Sequence, residues 1–470
     1  LSANELGLPN ELGLKGTDGQ TPGCPVNDFA SPTAVTLARA DALADRAAYP
    51  IAGIEPFAVN RRLEIDANTQ DVGKVLGTED WPSGTLVIVS GHGTAEMTPV
   101  EVKASKSLRI EFKHTGEAPL VLGPRTKTKE DEALFVVESG SLELVDGHFR
   151  FPNTSTTAMP AHFLAVHHGS FALRRCQVIG QMLDGTSGFQ GLIRWKRATA
   201  EPGNLADPSE RGSGVITDSA LLTSGKLLDV DLRNRTLLLR NSLFASVGDL
   251  FDLNVQGFSS KIGGTLDARW CTFGAGGKFL FQVRGTKEAE KATRPLNVFL
   301  QHSVLLSLTE LSGATASPVL LSVRDHVLNN QQIAWWDLGN GYTAPWTQFL
   351  RAADTPAAGP QSFETNWRKK WGEDRVMNAL SSNGDVRLAT KLPHRSKVGS
   401  RDFLLVSSCP AATWGPNQTT IGVDFERWTE SPKSPSRATS APTADSTKST
   451  QKKNEPIPTN KNAKSTKPNF

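Results

Sequence analysis

The sequence predicts an all-β protein of the solenoid type, in which short copies of one strand pattern stack on each other. Between residues 84 and 342, short alternating apolar runs follow one another, separated by Gly, Asn and polar insertions. The same pattern of residues returns in SFALRRCQV (170–178), TLLLRNSLF (236–244) and TLDARWCTF (265–273). The chain of 470 residues contains 41 Gly and 28 Pro, so it is long enough for a large core and rich in turns.

One template describes five of these segments. It places a small residue in register at Gly147, Cys176, Ser242, Cys271 and Ser303. Apolar residues lie five and three positions before the small residue and two positions after it: Leu142, Leu144 and Phe149; Phe171, Leu173 and Val178; Leu237, Leu239 and Phe244; Leu266, Ala268 and Phe273; Val298, Leu300 and Leu305. Because alternate residues of a strand share a face, this set is predicted to face the interior. The residues expected on the solvated face are Glu143, Arg174, Arg240, Arg269 and Gln301.

A second, shorter strand accompanies these segments. It reads LFVV (134–137), FLAV (163–166), LLDV (227–230) and LFDL (250–253), with FLFQV (279–283) and VLLSV (319–323) further on. Such a unit cannot bury its apolar face alone, so the copies must stack. Alternating apolar residues are also found in β-sandwiches and propellers, which are the alternatives.

The repeats resemble those of the right-handed parallel β-helix, or pectin-lyase-like, family over about residues 84–342, with 400–430 closing the stack. The resemblance implies a single-stranded right-handed β-helix whose small inward residue lies at a corner. Similar β-helices occur in large proteins of planctomycete-type bacteria, and some are fused to serine/threonine kinases. A sensor ectodomain of such a kinase is therefore one functional alternative.

Composition divides the chain into five parts. These are an N-terminal extension or cap (1–83), the β-helix (84–342), a Trp-rich and partly helical insertion or cap (343–399), a closing strand segment (400–430) and a basic Ser/Thr/Pro/Lys tail (431–470). The tail has almost no large apolar residue, so it cannot bury enough surface to offset its ordering entropy and is predicted to be disordered.

The charge distribution argues against a nucleic-acid partner. The whole chain carries a formal charge of +3, whereas residues 431–470 hold eight Lys or Arg and two acids, which leaves the rest of the chain at −3. There is no run of 18 apolar residues, so no membrane span is predicted in this fragment. The four Cys lie far apart, without the spacing of a metal site.

Several residues were considered for catalysis, and the sequence predicts no catalytic residue, no metal site and no cofactor. SGHGT (90–94) resembles an element of β-helical polygalacturonases but lacks its carboxylate partners, so His92 is predicted to mark a turn. The pair His167–His168 precedes a glycine and is also predicted to be a turn. The residues that could form ladders of charge on successive coils are Asp229, Asp231 and Asp252, together with Arg240 and Arg269.

The densest aromatic region gives the candidate binding residues Trp335, Trp336 and Tyr342. Exposed aromatic rings on a β-helix could stack on the C–H faces of sugars. Alternatively, WWDLGNGYTAPW and NWRKKW fold back as a cap, because the open end of a solenoid exposes strand edges.

The sequence thus predicts an extracytoplasmic, secreted or surface-exposed β-helix with a non-catalytic role in binding or scaffolding. Its expected partner is a polysaccharide or a cell-surface protein. The alternative from another class is a polysaccharide lyase or glycoside hydrolase of pectin-lyase-like type, for which converging carboxylates or bound Ca²⁺ would be the structural sign.

Overall fold

The computed structural model describes residues 57–428, except 104, 126–131, 153–158, 182–188, 197–211, 257, 259–262, 286–293, 313–318, 344–345, 347 and 353–362. This part of the chain forms three parallel sheets of 11, 9 and 9 strands. The strands are visited in the same sheet order again and again, so the fold is a parallel β-helix. The predicted all-β solenoid is confirmed, whereas the predicted tail at 431–470 lies outside the described residues.

Nine coils each contribute one strand to the first, second and third sheet in turn. Coils 1–3 comprise β2 (Thr85–Gly91), β3 (Thr94–Met97) and β4 (Val100–Val102); β5 (Lys106–His114), β6 (Val121–Pro124) and β7 (Ala133–Val137); β8 (Gly140–Val145), β9 (His148–Arg150) and β10 (His162–Val166). Coils 4–6 comprise β11 (Ser170–Arg174), β12 (Gln177–Ile179) and β13 (Gly191–Trp195); β14 (Gly212–Thr217), β15 (Ala220–Thr223) and β16 (Lys226–Asp231); β17 (Arg235–Arg240), β18 (Leu243–Ser246) and β19 (Phe251–Asn254). Coils 7–9 comprise β20 (Gly264–Arg269), β21 (Thr272–Ala275) and β22 (Phe279–Arg284); β23 (Leu296–Gln301), β24 (Val304–Ser307) and β25 (Val319–Val323); β26 (Ile333–Leu338), β27 (Gly341–Tyr342) and β28 (Gln348–Ala352).

Two further strands extend the first sheet at its ends, β1 (Arg61–Asp66) before coil 1 and β29 (Val376–Met377) after coil 9. The helical elements are α1 (Val72–Thr78), α2 (Thr309–Ser312), α3 (Asp325–Asn329), a π-helical turn (Phe363–Arg368) and α4 (Lys369–Trp371). Strands of the solenoid therefore lie beyond both limits of the predicted range 84–342.

The predicted apolar columns form in the predicted register. Leu173 pairs with Leu144, and Leu239 pairs with Ala268, which in turn pairs with Leu300. These side chains are at most 1 % exposed and belong to one continuous core. Coils stacked about 4.8 Å apart place the same kind of side chain above and below each member, so the apolar surface is covered on both sides.

The sequence template missed coil 5. In this coil Gly214 and Ile216 lie between Phe171 and Leu173 of coil 4 and the corresponding residues of coil 6. Gly214 breaks the rule of a large first residue because the Phe171 ring occupies its place: a Cβ atom on Gly214 would lie 2.7 Å from that ring.

Several strands of the third sheet carry two consecutive core residues near their start. Both Phe163 and Leu164 of β10 lie in the core, as do Leu227 and Leu228 of β16. The regular alternation of a strand is thus broken at its start, where the chain turns in from the second sheet. This leaves one outward residue in the middle of each of these strands, such as Ala165 in β10.

The corner between the first and second sheets uses residues in the left-handed region. In coils 3 to 8 one residue each adopts φ between 42° and 60°: Asp146, Arg175, Asp218, Asn241, Trp270 and His302. In coil 9 Gly339 has φ 63°. Their backbone N–H groups still donate to the next coil, as from Asn241 to Arg269 and from Trp270 to Gln301. The ladder of hydrogen bonds therefore continues around a corner that L-residues otherwise avoid.

The small residue of the template follows this corner and links the backbones of two neighbouring coils. Ser242 Oγ accepts a hydrogen bond from the Ser219 N–H at 3.1 Å and donates to the Arg240 carbonyl at 2.7 Å. Ser303 makes the same two contacts with the Cys271 N–H and the Gln301 carbonyl. A compact polar side chain suits this position in coils 6 and 8 because it provides hydrogen-bond partners for buried backbone groups of the corner.

Cysteine replaces serine at this position in coils 4 and 7. Cys176 and Cys271 are buried and free of disulfides, and their Sγ atoms contact the carbonyls of Arg174 and Arg269. Burial raises the pKa of both thiols to about 12, so they remain protonated and unreactive.

Both ends of the apolar column are covered. At the N-terminal end α1 packs Val72 and Leu76 on the core, followed by Trp81, whose indole N–H donates to the Leu76 carbonyl. At the C-terminal end Trp367 and Trp371 cover coil 9.

Residues 380–428, here named the C-terminal strap, cover the apolar outer face of the second sheet. Val386, Phe403 and Ile421 of the strap share a core with Leu222 and Leu306 of that sheet. The expected closing strand at 400–430 is instead mainly 3-10 turns, two of which begin at Pro410 and Pro416. Proline fits the first position of such a turn and lacks the N–H that a strand would need.

The expected solvated face of the first sheet is only partly solvated. Glu143, Arg174 and Arg240 are partly exposed, but Arg269 is 1 % exposed and Gln301 2 % exposed. Arg269 tolerates burial because its guanidinium binds Asp267 at 2.7 and 2.8 Å. The prediction that Arg269 and Gln301 are solvated is therefore wrong.

We predict that Leu239→Ala lowers the free energy of unfolding by about 2–5 kcal/mol, because it removes a fully buried side chain from the middle of the column. Urea denaturation measures the change. Glu101→Ala on the exposed side of β4 is the control and should change stability by less than about 0.5 kcal/mol. Equal decreases in the free energy of unfolding for Leu239→Ala and Glu101→Ala would contradict a continuous core.

We also predict that Ser242→Ala lowers the free energy of unfolding by about 1–3 kcal/mol, because it leaves the buried Ser219 N–H and Arg240 carbonyl without this partner. Ser242→Cys introduces the side chain that coils 4 and 7 carry at this position, so its free energy of unfolding should fall less than that of Ser242→Ala. The two variants are compared by urea denaturation, and a more stable alanine variant would show that the hydroxyl is dispensable.

Candidate functional site

The third sheet presents a polar outer face. On coils 5, 6 and 8 of the first sheet the outward residues Val215, Leu238 and Phe299 are at most 6 % exposed, whereas coils 2 to 4 carry partly exposed ion pairs such as that of Glu143 and Arg174. The second sheet lies under the C-terminal strap. On the third sheet, by contrast, the side chains of Arg194 and Lys196 are 40 % and 37 % exposed. A partner can therefore reach this sheet directly.

Polar side chains on this face form two rows along the solenoid axis. The first row consists of the outward residues of β13, β16, β19 and β22, which pair in register: Arg194, Asp229, Asp252 and Gln282. The second row lies at the ends of the strands on coils 3 to 7: His167, Lys196, Asp231, Asn254 and Arg284. Of the predicted ladder, Asp229 and Asp252 pair in register, whereas Asp231 pairs with Asn254 in the second row.

Basic side chains neutralise the carboxylates of the ladder. Lys196 Nζ lies 2.6 Å from Asp229 Oδ2, while Lys226 Nζ and Arg284 Nη2 lie 2.6 and 2.7 Å from Asp252 Oδ2. Most of these pairs join neighbouring coils, so they favour the observed register. We call the two rows with Glu132 and the bases paired to them the charged face.

Two histidines and Glu132 lie at the N-terminal end of the charged face. Glu132 accepts from His167 Nε2 at 3.1 Å and from Arg194 Nη1 at 3.3 Å. Burial lowers the pKa of His162, and the nearby Arg194 lowers it further, so this imidazole is neutral at pH 7. His167 is oriented by the Glu132 carboxylate, which also binds Arg194, and a histidine held in this way can accept or donate a proton.

Other residues considered from the sequence lie elsewhere. Arg240 and Arg269 pair in register on the first sheet, and both bind Asp267. His92 lies exposed in the turn between β2 and β3. Within the described ranges, no group of three or more His, Cys, Asp or Glu side chains could hold a metal ion.

The predicted aromatic residues lie in and beneath the C-terminal cap. Trp335 is fully buried between Phe281 and Trp367, with ring centroids 5.2 and 5.1 Å away. Tyr342 is 1 % exposed in the same core. Neither ring has a face open to a sugar, and the packing is that of the alternative, a cap.

Trp336 points to the opposite side of β26. Its ring is 9 % exposed and is stacked on Phe299 at 4.6 Å, with the Arg375 guanidinium 4.9 Å from its centroid. Among the described residues, the Trp414 ring of the C-terminal strap is exposed, at 41 %, and no sequence pattern pointed to it.

A buried carboxylate ends the apolar column. Asp337 pairs with Leu300 of coil 8 and is 0 % exposed. It accepts hydrogen bonds from the Tyr342 hydroxyl, from Asn340 Nδ2 at 2.6 Å and from Trp367 Nε1 at 2.8 Å. Burial raises the pKa of Asp337 above its ordinary value, although these donors oppose the rise. The contact with Trp367 ties the cap to the last coil.

Sequence reasoning missed Arg194, Lys196 and Glu132. In the segment GLIRW of β13, two core residues are followed by one outward and one inward residue. The segment LLDV of β16 has the same order. That pattern could have identified β13. Glu132 carries no such signal, because it lies just before β7 and reaches Arg194 of coil 4 across coil 3.

No protein-family model matches the sequence, and no curated protein matches it either. No helix in the described ranges is long and apolar enough to cross a membrane.

We predict that the free energy of unfolding of the wild type rises relative to that of Asp337→Asn as the pH falls. Because the folded-state pKa of Asp337 lies above the ordinary value of 3.8, the folded chain takes up a proton before the unfolded chain does. The increase in the free energy of unfolding begins as the pH falls through the folded-state pKa of Asp337, and it is complete below the ordinary value of 3.8. Urea denaturation of both proteins between about pH 7.5 and about pH 4 measures it, and parallel curves would contradict the assignment.

Proposed function

We propose that this β-helix is a non-catalytic binding and scaffold domain that holds a polysaccharide on the charged face. The observation that carries the proposal is the register of Arg194, Asp229, Asp252 and Gln282 on successive coils. It gives a rigid and repetitive polar surface, and a polymer with repeating units can meet equivalent side chains again and again.

The chemistry of the face supports a sugar ligand. Guanidinium, carboxylate and amide groups donate and accept several hydrogen bonds in one plane, which suits the adjacent hydroxyl groups of a sugar ring. Arg194 and Arg284 are 40 % and 59 % exposed, and Gln282 lies in the same row as Arg194. Because these side chains stand on strands of a rigid sheet, little ordering is needed on binding.

We also propose that the chain is related to the pectin-lyase-like β-helices, as the repeat pattern suggests, and that it acts outside the cytoplasm. A surface location suits a polysaccharide ligand. A role as the sensor ectodomain of a serine/threonine kinase, as in planctomycete-type proteins, is compatible with such binding.

A polysaccharide lyase or glycoside hydrolase is the second candidate, and one group of residues favours it. His167 is oriented by Glu132 and lies beside Arg194, whose charge could stabilise an anionic intermediate. This candidate predicts release of shorter sugars, whereas the scaffold proposal predicts binding without any product.

The experiment is affinity electrophoresis of the purified chain in gels that contain cellulose derivatives, xylan, mannan, polygalacturonate or alginate. We expect retardation in at least one gel, and about tenfold weaker binding for Arg194→Ala, because a hydrogen bond to a charged group is lost. Arg62→Ala on exposed β1 is the matched control and should bind as the wild type does.

The same incubations are examined for new reducing ends and unsaturated sugars. Product that disappears in His167→Ala would replace the scaffold proposal with the enzyme. Absence of retardation in every gel would overturn the polysaccharide proposal.

A further inference from the structure

We propose that the ligand of the charged face is an uncharged polysaccharide, lying along the solenoid axis across coils 4 to 7. This inference rests on the proposed function and specifies its ligand class. The inference depends on the near-equal numbers of acidic and basic groups on the charged face, and not simply on the presence of charged groups.

The charges of the face nearly cancel. The acids are Glu132, Asp229, Asp231 and Asp252, and the bases that contact them are Arg194, Lys196, Lys226, Arg233 and Arg284. Each base lies in direct contact with one of the acids. Paired charges act as short dipoles whose field falls off quickly, and salt screens the remainder within about 8 Å.

A polyanion would find little attraction on this surface. To bind Lys196 or Arg284, a uronate or sulfate group would have to compete with Asp229 or Asp252, which already hold these bases at 2.6 and 2.7 Å. It would also approach carboxylates that are fixed in the sheet, and such like-charge contacts are unfavourable. A polycation would have to compete with Lys196 and Arg284 for the carboxylates, and it would approach basic side chains of like charge.

Sugar hydroxyl groups face no such competition. The carboxylate and guanidinium groups of an ion pair keep unused lone pairs and N–H groups, which a hydroxyl can bind without breaking the pair. The first row ends in the neutral side chains Gln282 and Ser322, and in the second row the neutral Asn254 lies between Asp231 and Arg284. These amide and hydroxyl groups extend the same chemistry without charge.

The direction of the ligand follows from the rows. Equivalent side chains repeat once per coil, about 4.8 Å apart along the axis. This repeat is close to the length of one sugar unit, so a chain parallel to the axis can place successive sugars over successive coils. Coils 4 to 7 would accommodate a short oligosaccharide.

The test measures the dissociation constant by calorimetry for neutral oligosaccharides of cellulose, xylan and mannan and for oligogalacturonate and alginate oligomers. We expect a neutral oligosaccharide to bind, with less than about a twofold change between about 20 and about 500 mM NaCl. Binding of acidic oligomers alone, weakened strongly by salt, would overturn this inference and leave the proposed polysaccharide binding standing. Binding of neither class would overturn both.

Charge variants provide a second measurement. Lys196→Gln removes one positive charge from the face but keeps a long hydrogen-bonding side chain. For an uncharged ligand its affinity should stay within about threefold of the wild type, while an anionic ligand should lose about tenfold. Gln282→Ala removes an uncharged contact and should weaken a neutral ligand by about fivefold. Unchanged binding in Gln282→Ala with a large loss in Lys196→Gln would contradict the proposal.

Discussion

Stacking of equivalent side chains on successive coils is the constraint on which the whole structure depends. Parallel strands about 4.8 Å apart bring Leu144, Leu173 and Ile216 into direct contact, and every further coil extends the same column. One slipped coil would break the apolar column, the corner and the charged face together. The contacts that hold register are therefore distributed through the interior, the corner and the outer surface.

Much of the fold could be predicted because an inward position repeats a chemical type. The apolar and small positions of five coils follow one template, and the structure places all of them inside. Coil 5 escaped detection because Gly214 yields its space to Phe171 of the neighbouring coil, an exchange between coils that a single segment does not show. The left-handed corner escaped for a similar reason. Arg175 and Trp270 have no local preference for this conformation, and the ladder of neighbouring coils imposes it on them.

The candidate site was predictable only in part. The ladder of Asp229 and Asp252 was foreseen because both follow the same strand pattern. Their neutralisation was not, since Lys196 and Lys226 lie in different coils from the acids that they bind. The aromatic candidates Trp335 and Tyr342 were ambiguous in sequence, because a ring that covers a solenoid end and a ring that stacks on a sugar have the same composition. Burial distinguishes the two.

The Asp337 carboxylate has a consequence for self-association. Any β-helix carries at its end a template on which another chain could add strands and grow into a filament. In this molecule the axis of coil 9 carries a carboxylate held by Tyr342, Asn340 and Trp367 instead of one more leucine. If the cap opened, Asp337 would lose the Trp367 donor and keep those of Tyr342 and Asn340, so an incoming chain would have to bury a carboxylate with one partner fewer, which is costly. The terminal coil therefore disfavours fibrous growth even when its cover is lost.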